Sequence, residues 1–320
     1  MRAHTTGRSP GCAAGPAPLA SVPGDLIRRS QRVHGRLWGE LVSGELTGPQ
    51  YAVLAVLGKV PDAEQQVVAE LTSLDKSSTA DVVARLMRKA WIARARDPAD
   101  SRRYLLSLTS AAALALPTIT PQVSAVQDAL LAPVPAARRE AFAAELAAVA
   151  RLAECRPFTH REDRIPVLAL TAPGHLIRCA QQVHTAFWAE ELADRLTGPQ
   201  YAVLHVVAAH PGINQRRLGE LAALDKSTTA DVVRRLAGKG RLDRERDPGD
   251  GRGRILRLTG NAVQWLAEIH PRVAAVQQRL LDVLPPDDRA AFVGDLARVA
   301  FGGEPTAGPD RVSAAFPARA

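Results

Sequence analysis

Aromatic residues and cysteines are scarce in this 320-residue chain. Phe, Trp and Tyr make up 4% of the sequence, so the cores must consist largely of Ala, Leu and Val, a composition that favours helices. Three isolated cysteines, Cys12, Cys155 and Cys179, form no CxxC pair, which argues against a disulfide framework or zinc site and fits a reducing cytoplasm. No apolar run reaches bilayer length, and the N-terminal stretch lacks the apolar core of a signal peptide. We therefore expect a cytoplasmic, mainly helical protein without membrane contact.

Sequence motifs of common enzymes are missing as well. The chain contains no P-loop, no HExxH and no Gly-x-Ser-x-Gly. His34 and His184 have no nucleophile at a useful spacing. We therefore expect neither catalysis nor a bound cofactor or metal.

An internal repeat of domain size dominates what is present. Residues 23–150 align with residues 173–300 at a constant offset of 150 without a gap, and 63 of the 128 aligned positions are identical. Such identity indicates a gene duplication, and two similar domains on one chain can pair about a pseudo-two-fold axis. The predicted order is a disordered tail, a first domain, a linker, a second domain and a second disordered tail: residues 1–22, 23–150, 151–172, 173–300 and 301–320.

Periodicity and capping signals divide each repeat into the same elements. In the first repeat the sequence TGPQ at 47–50 has the form of a capping box, and Asp75 is a good helix N-cap. Thr109 caps a long helix that Pro117 and Pro121 are expected to interrupt. The predicted helices cover about residues 24–43, 47–59, 65–72, 75–89, 109–131 and 136–152, and a two-stranded hairpin covers 92–96 and 104–108.

Positive charge is concentrated in the fourth helix and the hairpin of each repeat. Of the net charge of +8, residues 76–104 contribute +5 (eight Lys/Arg, three Asp) and residues 226–254 contribute +4 (nine Lys/Arg, five Asp/Glu). The remainder is about neutral, so the pattern indicates a surface that binds a polyanion. An inward apolar stripe is predicted to separate this basic face from the core, and it consists of Thr79, Val83, Leu86 and Ala90.

Both hairpins carry the same turn motif, Arg-Asp-Pro-x-Asp-x-Arg, followed by Leu-x-Leu-Thr. The motif spans residues 96–102 and 246–252. An Asp–Arg pair across the turn can brace the loop while the tip arginine enters a DNA minor groove. The alternative is a plain surface salt bridge of little energetic value.

These segments resemble the MarR family of bacterial transcriptional regulators. The resemblance rests on LTGPQYAVL at 46–54, LDKSSTADVVARL at 74–86 and DPADSRR…LSLT at 97–109, and it covers both repeats, about 256 of 320 residues. It implies a mainly α fold with small β wings, in which two winged helix-turn-helix domains form a pseudo-two-fold dimer within one chain through interlocked N- and C-terminal helices. It also implies double-stranded DNA as the partner and, commonly, repression relieved by a small aromatic or phenolic effector. Members normally have one such domain per chain, so the fusion is a departure.

Carried over by position, the resemblance assigns DNA contacts to the fourth helix and the wing of each repeat. It places the helix in the major groove and the tip arginine in the minor groove. One departure is Ala90-Trp91, where the second repeat has a C-cap glycine, Gly240. The predicted DNA-binding residues are Lys76, Ser77, Ser78, Arg85, Lys89, Arg102, Arg103, Lys226, Ser227, Thr228, Arg235, Lys239, Arg252 and Arg254.

Aromatic and imidazole side chains recur at helical spacing in both repeats. A histidine and a tryptophan stand four residues apart on the first helix, and a tyrosine follows on the second, so together they could line a pocket for an aromatic ligand. The alternative is a half-buried dimer core with hydrogen-bonded histidines. The predicted ligand-binding residues are His34, Trp38, Tyr51, His184, Trp188 and Tyr201.

Cys179 lies on the first helix of the second repeat, where peroxide-sensing members of the resembled family carry a cysteine. Its counterpart in the first repeat is Arg29. The alternative for Cys179 is an inert thiol.

Two functions remain open from the sequence. The nearly identical fourth helices favour a sequence-specific regulator that reads two similar half-sites of a pseudo-palindromic operator as one monomeric chain. The alternative is a DNA-architectural or antagonist protein without strong sequence choice.

Overall fold

The computed structural model describes residues 21–42, 46–151, 171–192, 195–246 and 254–303, so most of the predicted tails and of the linker lie outside the described residues. Phe301, predicted to start the second tail, is instead the last residue of the final helix. The elements of the first half are α1 Pro23–Leu41, α2 Gly48–Leu57, β1 Ala63–Glu64, α3 Gln65–Thr72, α4 Lys76–Arg88, β2 Ile92–Arg96, β3 Tyr104–Leu108, α5 Ser110–Leu131 and α6 Arg139–Val149. The elements of the second half are α7 Pro173–Leu192, α8 Gly198–Ala209, β4 Ile213–Asn214, α9 Gln215–Ala222, α10 Lys226–Gly238, β5 Leu242–Arg246, β6 Arg254–Leu258, α11 Gly260–Leu281 and α12 Pro286–Phe301. The predicted fold class, mainly α with small antiparallel sheets, is confirmed.

Local hydrogen bonds start the helices where the sequence predicts. Thr47 accepts the backbone N–H of Gln50, whose side chain in turn accepts the backbone N–H of Thr47 at 2.9 Å. Thr197 and Gln200 form the same reciprocal capping box at the start of α8. Each box satisfies two helix donors that would otherwise lack a partner, which explains why the boundary is encoded locally.

The fourth helix buries most of its predicted stripe. Thr79, Val83 and Leu86 are buried, but Ala90 is exposed, so its assignment to the stripe is wrong. The helix has already ended at Arg88, and Ala90 adopts a left-handed conformation with φ of 53°. Gly240 occupies the equivalent position with φ of 63°. A glycine adopts this conformation freely, whereas an alanine there is strained by about 1 kcal/mol.

Each wing has one more strand than the predicted two-stranded hairpin. The strand order in the first half is β1-β3-β2, with Ala63 opposite Leu106, and the second half repeats it as β4-β6-β5. The hairpin strands themselves have the predicted bounds. A two-residue strand is too short to show an alternating pattern, so the sequence carries no signal for it.

Helix α5 continues through both of its prolines, so the predicted interruption is wrong. Pro117 and Pro121 lie inside a continuous helix of 22 residues. Each proline removes one backbone donor, but the same helix buries Ile119, Val123 and Val126 in the domain core, and this packing outweighs the local cost. The last predicted helix of this half is also shorter than expected, because residues 136–138 form a separate 3-10 turn before α6.

The two halves share a hydrophobic core built from their first and last helices. Phe142 of α6 packs against Phe292 of α12 with ring centroids 5.6 Å apart, and both side chains are fully buried. Leu26 of α1 and Leu176 of α7 belong to the same cluster. Arg138 adds a polar link at 2.9 Å to the buried carboxylate of Asp295 in the other half. The halves therefore interlock within one chain.

Within the described part of the chain, the structure contains no helix that is both long and apolar enough to cross a membrane.

Candidate DNA interface and interdomain pockets

The predicted base-reading hydroxyls lie at the N-terminus of each fourth helix and are held by its N-cap aspartate. Asp75 accepts the backbone N–H of Ser78 at 2.8 Å and the hydroxyl groups of Ser77 and Ser78 at 2.7 and 2.6 Å. Asp225 holds the corresponding residues of α10 in the same way. These hydrogen bonds, led by that of the Ser78 hydroxyl, keep the pKa of Asp75 well below its usual range. Because the hydroxyl hydrogens point to a carboxylate, the hydroxyl oxygens are left to accept hydrogen bonds.

The basic residues predicted on the fourth helices are exposed. Lys76 and Arg85 are exposed on α4, Lys89 is exposed at its C-cap, and Lys226 and Lys239 are exposed at the two ends of α10. These predicted cations are therefore accessible to solvent.

One predicted cation of the second half has an acidic neighbour. Arg235 lies 2.9 Å from the carboxylate of Asp231 on the same helix. This pair is half-exposed, so it leaves the guanidinium accessible to solvent.

The turn of the first wing is braced by hydrogen bonds from backbone N–H groups to aspartate side chains instead of the predicted Asp–Arg side-chain pair. Asp97 accepts the N–H of Ala99 at 2.8 Å, and Asp100 accepts the N–H of Arg102 at 3.0 Å. The carboxylates thus shape the turn, and the Arg102 side chain is exposed.

The neighbouring wing arginines differ in their surroundings. Arg103 forms an ion pair with Glu64, which ties the wing to β1, and Arg254 is exposed at the start of β6. Arg252 and the rest of the second turn, residues 247–253, lie outside the described residues.

The predicted ligand residues of the first half come together in a cavity of about 290 Å³, which we call the first pocket. The rings of His34 and Trp38 lie 5.7 Å apart, and those of Trp38 and Tyr51 lie 6.1 Å apart. Trp38 donates its indole N–H to the carbonyl of Leu46 at 2.6 Å, and Tyr51 donates to Thr120 at 3.1 Å. The polar ends of both rings are therefore satisfied, and their faces are left to line the cavity.

The second pocket, a cavity of about 380 Å³, contains the same three side chains from the second half. His184 lies 5.7 Å from Trp188, which lies 5.7 Å from Tyr201. Burial lowers the pKa of both His34 and His184 to about 4, so both imidazoles are neutral at pH 7.

Each pocket is closed by the first helix of the opposite half, which the sequence reasoning missed. Gly174 of α7 lies against the His34 ring and donates its N–H to Gln127 at 2.8 Å. Gly24 of α1 lies against the His184 ring in the same way. A Cβ atom at either glycine would overlap the imidazole, so both positions require glycine. The only signal in the sequence is the Pro-Gly pair that opens the first helix of each repeat.

Two arginines connect the pockets to the helix-turn-helix units. Arg178 of α7 lines the first pocket and donates to the carbonyls of Thr72 and Ser73, at 2.6 and 3.0 Å, at the C-terminus of α3. Arg28 of α1 lines the second pocket and donates to the carbonyls of Ala222 and Ala223 at the C-terminus of α9, both at 2.6 Å. The C-terminus of α3 leads into the fourth helix of the first half, and that of α9 leads into the fourth helix of the second half. Each pocket therefore contains an arginine that is hydrogen-bonded to a helix-turn-helix.

Comparison with known proteins assigns the family. The MarR family model matches residues 45–103 and 196–253, from the second helix to the wing of each half. The transcriptional regulator HosA of Escherichia coli O111:H- is 39% identical over 119 residues, which are 37% of this chain and 87% of that protein. The chain belongs to the MarR family. It is a transcriptional regulator with DNA-binding winged helices, and the two matched segments agree with a tandem arrangement.

Further MarR-type relatives also align with about one half of this chain. The HTH-type transcriptional repressor NicR of Pseudomonas putida is 29% identical over 132 residues, 41% of this chain and 84% of that protein. A crystal structure of the PcaV transcriptional regulator from Streptomyces coelicolor, in complex with its natural ligand, is 42% identical, covers 43% of this chain and 96% of that chain, and has a TM-score of 0.40.

Cys179 lies in the shared core, where 3% of its surface is exposed. Such burial favours the inert interpretation over peroxide sensing, because a reactive thiolate requires access to solvent.

Proposed function

We propose that this chain is a sequence-specific, non-catalytic repressor that binds one pseudo-palindromic operator as a single chain and is released by a small aromatic effector. The observation that carries the proposal is the double role of Arg178, which lines a ligand-sized pocket and holds the C-terminus of α3. A molecule that engages this guanidinium competes with the helix for it.

Operator binding by one chain rests on the shared core. Helices from both halves bury the Phe142–Phe292 pair and its aliphatic neighbours, so each half is the dimer partner of the other. Because the partner is covalently attached, pairing does not depend on protein concentration. Both fourth helices and both wings are then present in one polypeptide, as two half-sites require.

Release by an effector rests on the shape and the polarity of the pockets. Volumes of about 290 and 380 Å³ suit a molecule with a single ring, and Trp and Tyr faces offer stacking surfaces. An effector shifts the protein away from its DNA-binding conformation only if it binds the released conformation more tightly. An effector that forms hydrogen bonds with the arginine, in place of those that the arginine makes to α3 or α9, would bind the released conformation more tightly.

The orientation of the serine hydroxyls favours a particular kind of base contact. Ser77 and Ser227 donate to their N-cap aspartates at 2.7 and 2.6 Å, so towards the major groove they present acceptors. Adenine N6 and cytosine N4 are the amino donors available there. We infer that the operator core presents one of these groups to each serine.

The experiment that tests the proposal is selection of bound genomic fragments, followed by native mass spectrometry of the complex with the selected site. We expect one chain per site, at least a hundredfold preference over random DNA, and weaker binding when a hydroxybenzoate is added. Two chains on one site would contradict single-chain binding. Equal affinity for random DNA would instead favour the DNA-architectural alternative.

A further inference from the structure

The two pockets contain the same types of aromatic residue but differ in the charged side chains that line them, because their closing helices have diverged. The closing residues of the first pocket are His175 and Arg178, and no acidic side chain is among its described lining residues. The closing residues of the second pocket are Asp25 and Arg28. Asp25 and His175 occupy equivalent positions of the repeat, as do Arg29, which binds Asp25, and Cys179.

In the second pocket the arginine is paired with a carboxylate, which it shares with Arg29. Asp25 is buried, and its two oxygens accept from Arg28 and, at 2.5 Å, from Nε of Arg29. Arg28 makes two further hydrogen bonds to the carbonyls of Ala222 and Ala223, and Arg29 also donates to the carbonyl of Leu221. An anion that entered this pocket would meet the Asp25 carboxylate among the lining residues, directly beside the Arg28 guanidinium, and the repulsion between like charges disfavours it.

In the first pocket the arginine has only neutral partners. Arg178 donates to two carbonyls of the first half and contacts Gln182 at 3.3 Å and His175 Nδ1 at 3.2 Å. Within the part of the chain that the structure describes, no carboxylate contacts it. Burial lowers the pKa of Arg178.

The first pocket also contains a buried polar atom with no partner among the described residues, Nε2 of His34. The equivalent atom of His184 lies 3.2 Å from the side-chain amide of Gln277 and is thereby satisfied. A buried nitrogen without a hydrogen bond is costly, but this one packs against Gly174, which shields it from the cavity. What the first pocket offers a ligand is a guanidinium without a carboxylate partner in the described part of the chain, beside an aromatic cavity.

Building on the proposed function, we propose that the chain binds one monocyclic aromatic carboxylate, in the first pocket, and that Asp25 makes the second pocket reject anions. The carboxylate occupies Arg178 in place of the carbonyls of Thr72 and Ser73. The effector thus releases the first helix-turn-helix, formed by α3 and α4. The second, formed by α9 and α10, stays fastened by Arg28 and Arg29.

The repeat itself provides the variants that test this proposal. Asp25→His with Arg29→Cys gives the second pocket the closing residues of the first, and His175→Asp with Cys179→Arg makes the opposite exchange. We expect isothermal titration with 4-hydroxybenzoate to give one site per wild-type chain, two sites in the first double variant and at least a tenfold loss of affinity in the second. The neutral 4-hydroxybenzamide serves as a control and should bind at least tenfold more weakly to the wild type.

The position of the site is measured independently of its affinity. The chain contains four tryptophans, one of them in each pocket, so 5-fluorotryptophan labelling gives four fluorine resonances. With assignments from single Trp→Phe variants, 4-hydroxybenzoate should shift the Trp38 signal of the wild type and leave that of Trp188 in place. In the Asp25→His, Arg29→Cys chain both signals should shift.

The remaining outcomes overturn either this inference or the proposed function. Two sites in the wild type, or one site that moves the Trp188 signal, would overturn the inference and leave effector release intact. If none of the three monohydroxybenzoates bound to any folded variant, the effector part of the proposed function would fail together with the inference. Thermal unfolding and operator binding without ligand show that each variant is folded.

Discussion

The first and second halves of this protein agree closely at the N-terminus of their fourth helices and differ where each half reaches into the other. Between residues 74–83 and 224–233 the only exchange is Ser78 for Thr228, and both N-cap aspartates make the same hydrogen bonds. The closing helices, by contrast, differ at Asp25 and His175. The hydrogen-bonded start of the fourth helix is therefore kept in both halves, whereas the closing contacts between the halves have changed.

The difference shows what fusion permits. In a homodimer each pocket receives the same closing helix, so one substitution changes both pockets. In this chain the closing helix of the second pocket is α1 and that of the first pocket is α7, so each can change alone. A substitution near the start of one repeat therefore acts in the pocket of the other repeat.

The largest expected effect tests whether the two halves contribute equally to the shared core. We expect Phe142→Ala and Phe292→Ala each to lower the free energy of unfolding by about 3–5 kcal/mol, since both rings are fully buried. Urea denaturation measures the loss, and Leu114→Ala, at a side chain 80% exposed, should change it by less than about 0.5 kcal/mol. A large loss from only one of the two phenylalanines would show that the core belongs mainly to one half.

A pH titration examines the two pocket histidines, which are equivalent in burial. Their folded-state pKa of about 4 lies below the unfolded value of 6.5, so the stability they contribute is present above pH 6.5 and is lost as the pH falls towards 4. At pH 5 each should lower the free energy of unfolding by about 2 kcal/mol relative to pH 7. His34→Gln and His184→Gln should each remove a similar part of this pH dependence, and an unchanged profile in either variant would contradict its burial as a neutral group.

The DNA interface offers a third comparison, between base-reading and phosphate-contacting residues. Ser77→Leu and Ser227→Leu should each weaken binding to the selected operator by about 1–3 kcal/mol with little change on random DNA, because the bulky side chain removes a base acceptor. Arg102→Ala should weaken binding to both DNAs to the same extent. Fluorescence anisotropy at one fixed salt concentration measures both effects. Equal losses on both DNAs for the serine variants would refute base reading by these helices.

The smallest expected effect concerns the turn after the fourth helix. Ala90→Gly should stabilise the first half by about 1 kcal/mol, and Gly240→Ala should destabilise the second by about the same amount, because only glycine adopts positive φ without strain. No atom lies within 4 Å of a Cβ built at Gly240, so sterics beyond the backbone do not contribute. Thermal unfolding of the two reciprocal variants should give shifts of opposite sign, and shifts of the same sign would show that the turns are not equivalent.

Much of each domain was predictable because its signals are local. The capping boxes at Thr47 and Thr197, the N-cap at Asp75 and the strands at 92–96 and 104–108 depend on residues that lie close together in sequence. The histidine and tryptophan of each pocket were also predictable as neighbours, since their spacing of four places them on one helix face. The prolines of α5 misled the prediction because the packing of that helix, which overrides them, is a non-local effect.

The sequence by itself determined the duplication, the order of elements, the basic faces and the identity of the MarR-type motifs. Only the tertiary structure decided which residues share a pocket. Gly24 and Gly174, the unequal pair of Asp25 and His175, and the link from Arg178 to α3 all join segments about 100 residues or more apart. No period or motif encodes such pairings, because they arise when the first helix of one half fills the space that the folded core of the other half leaves open.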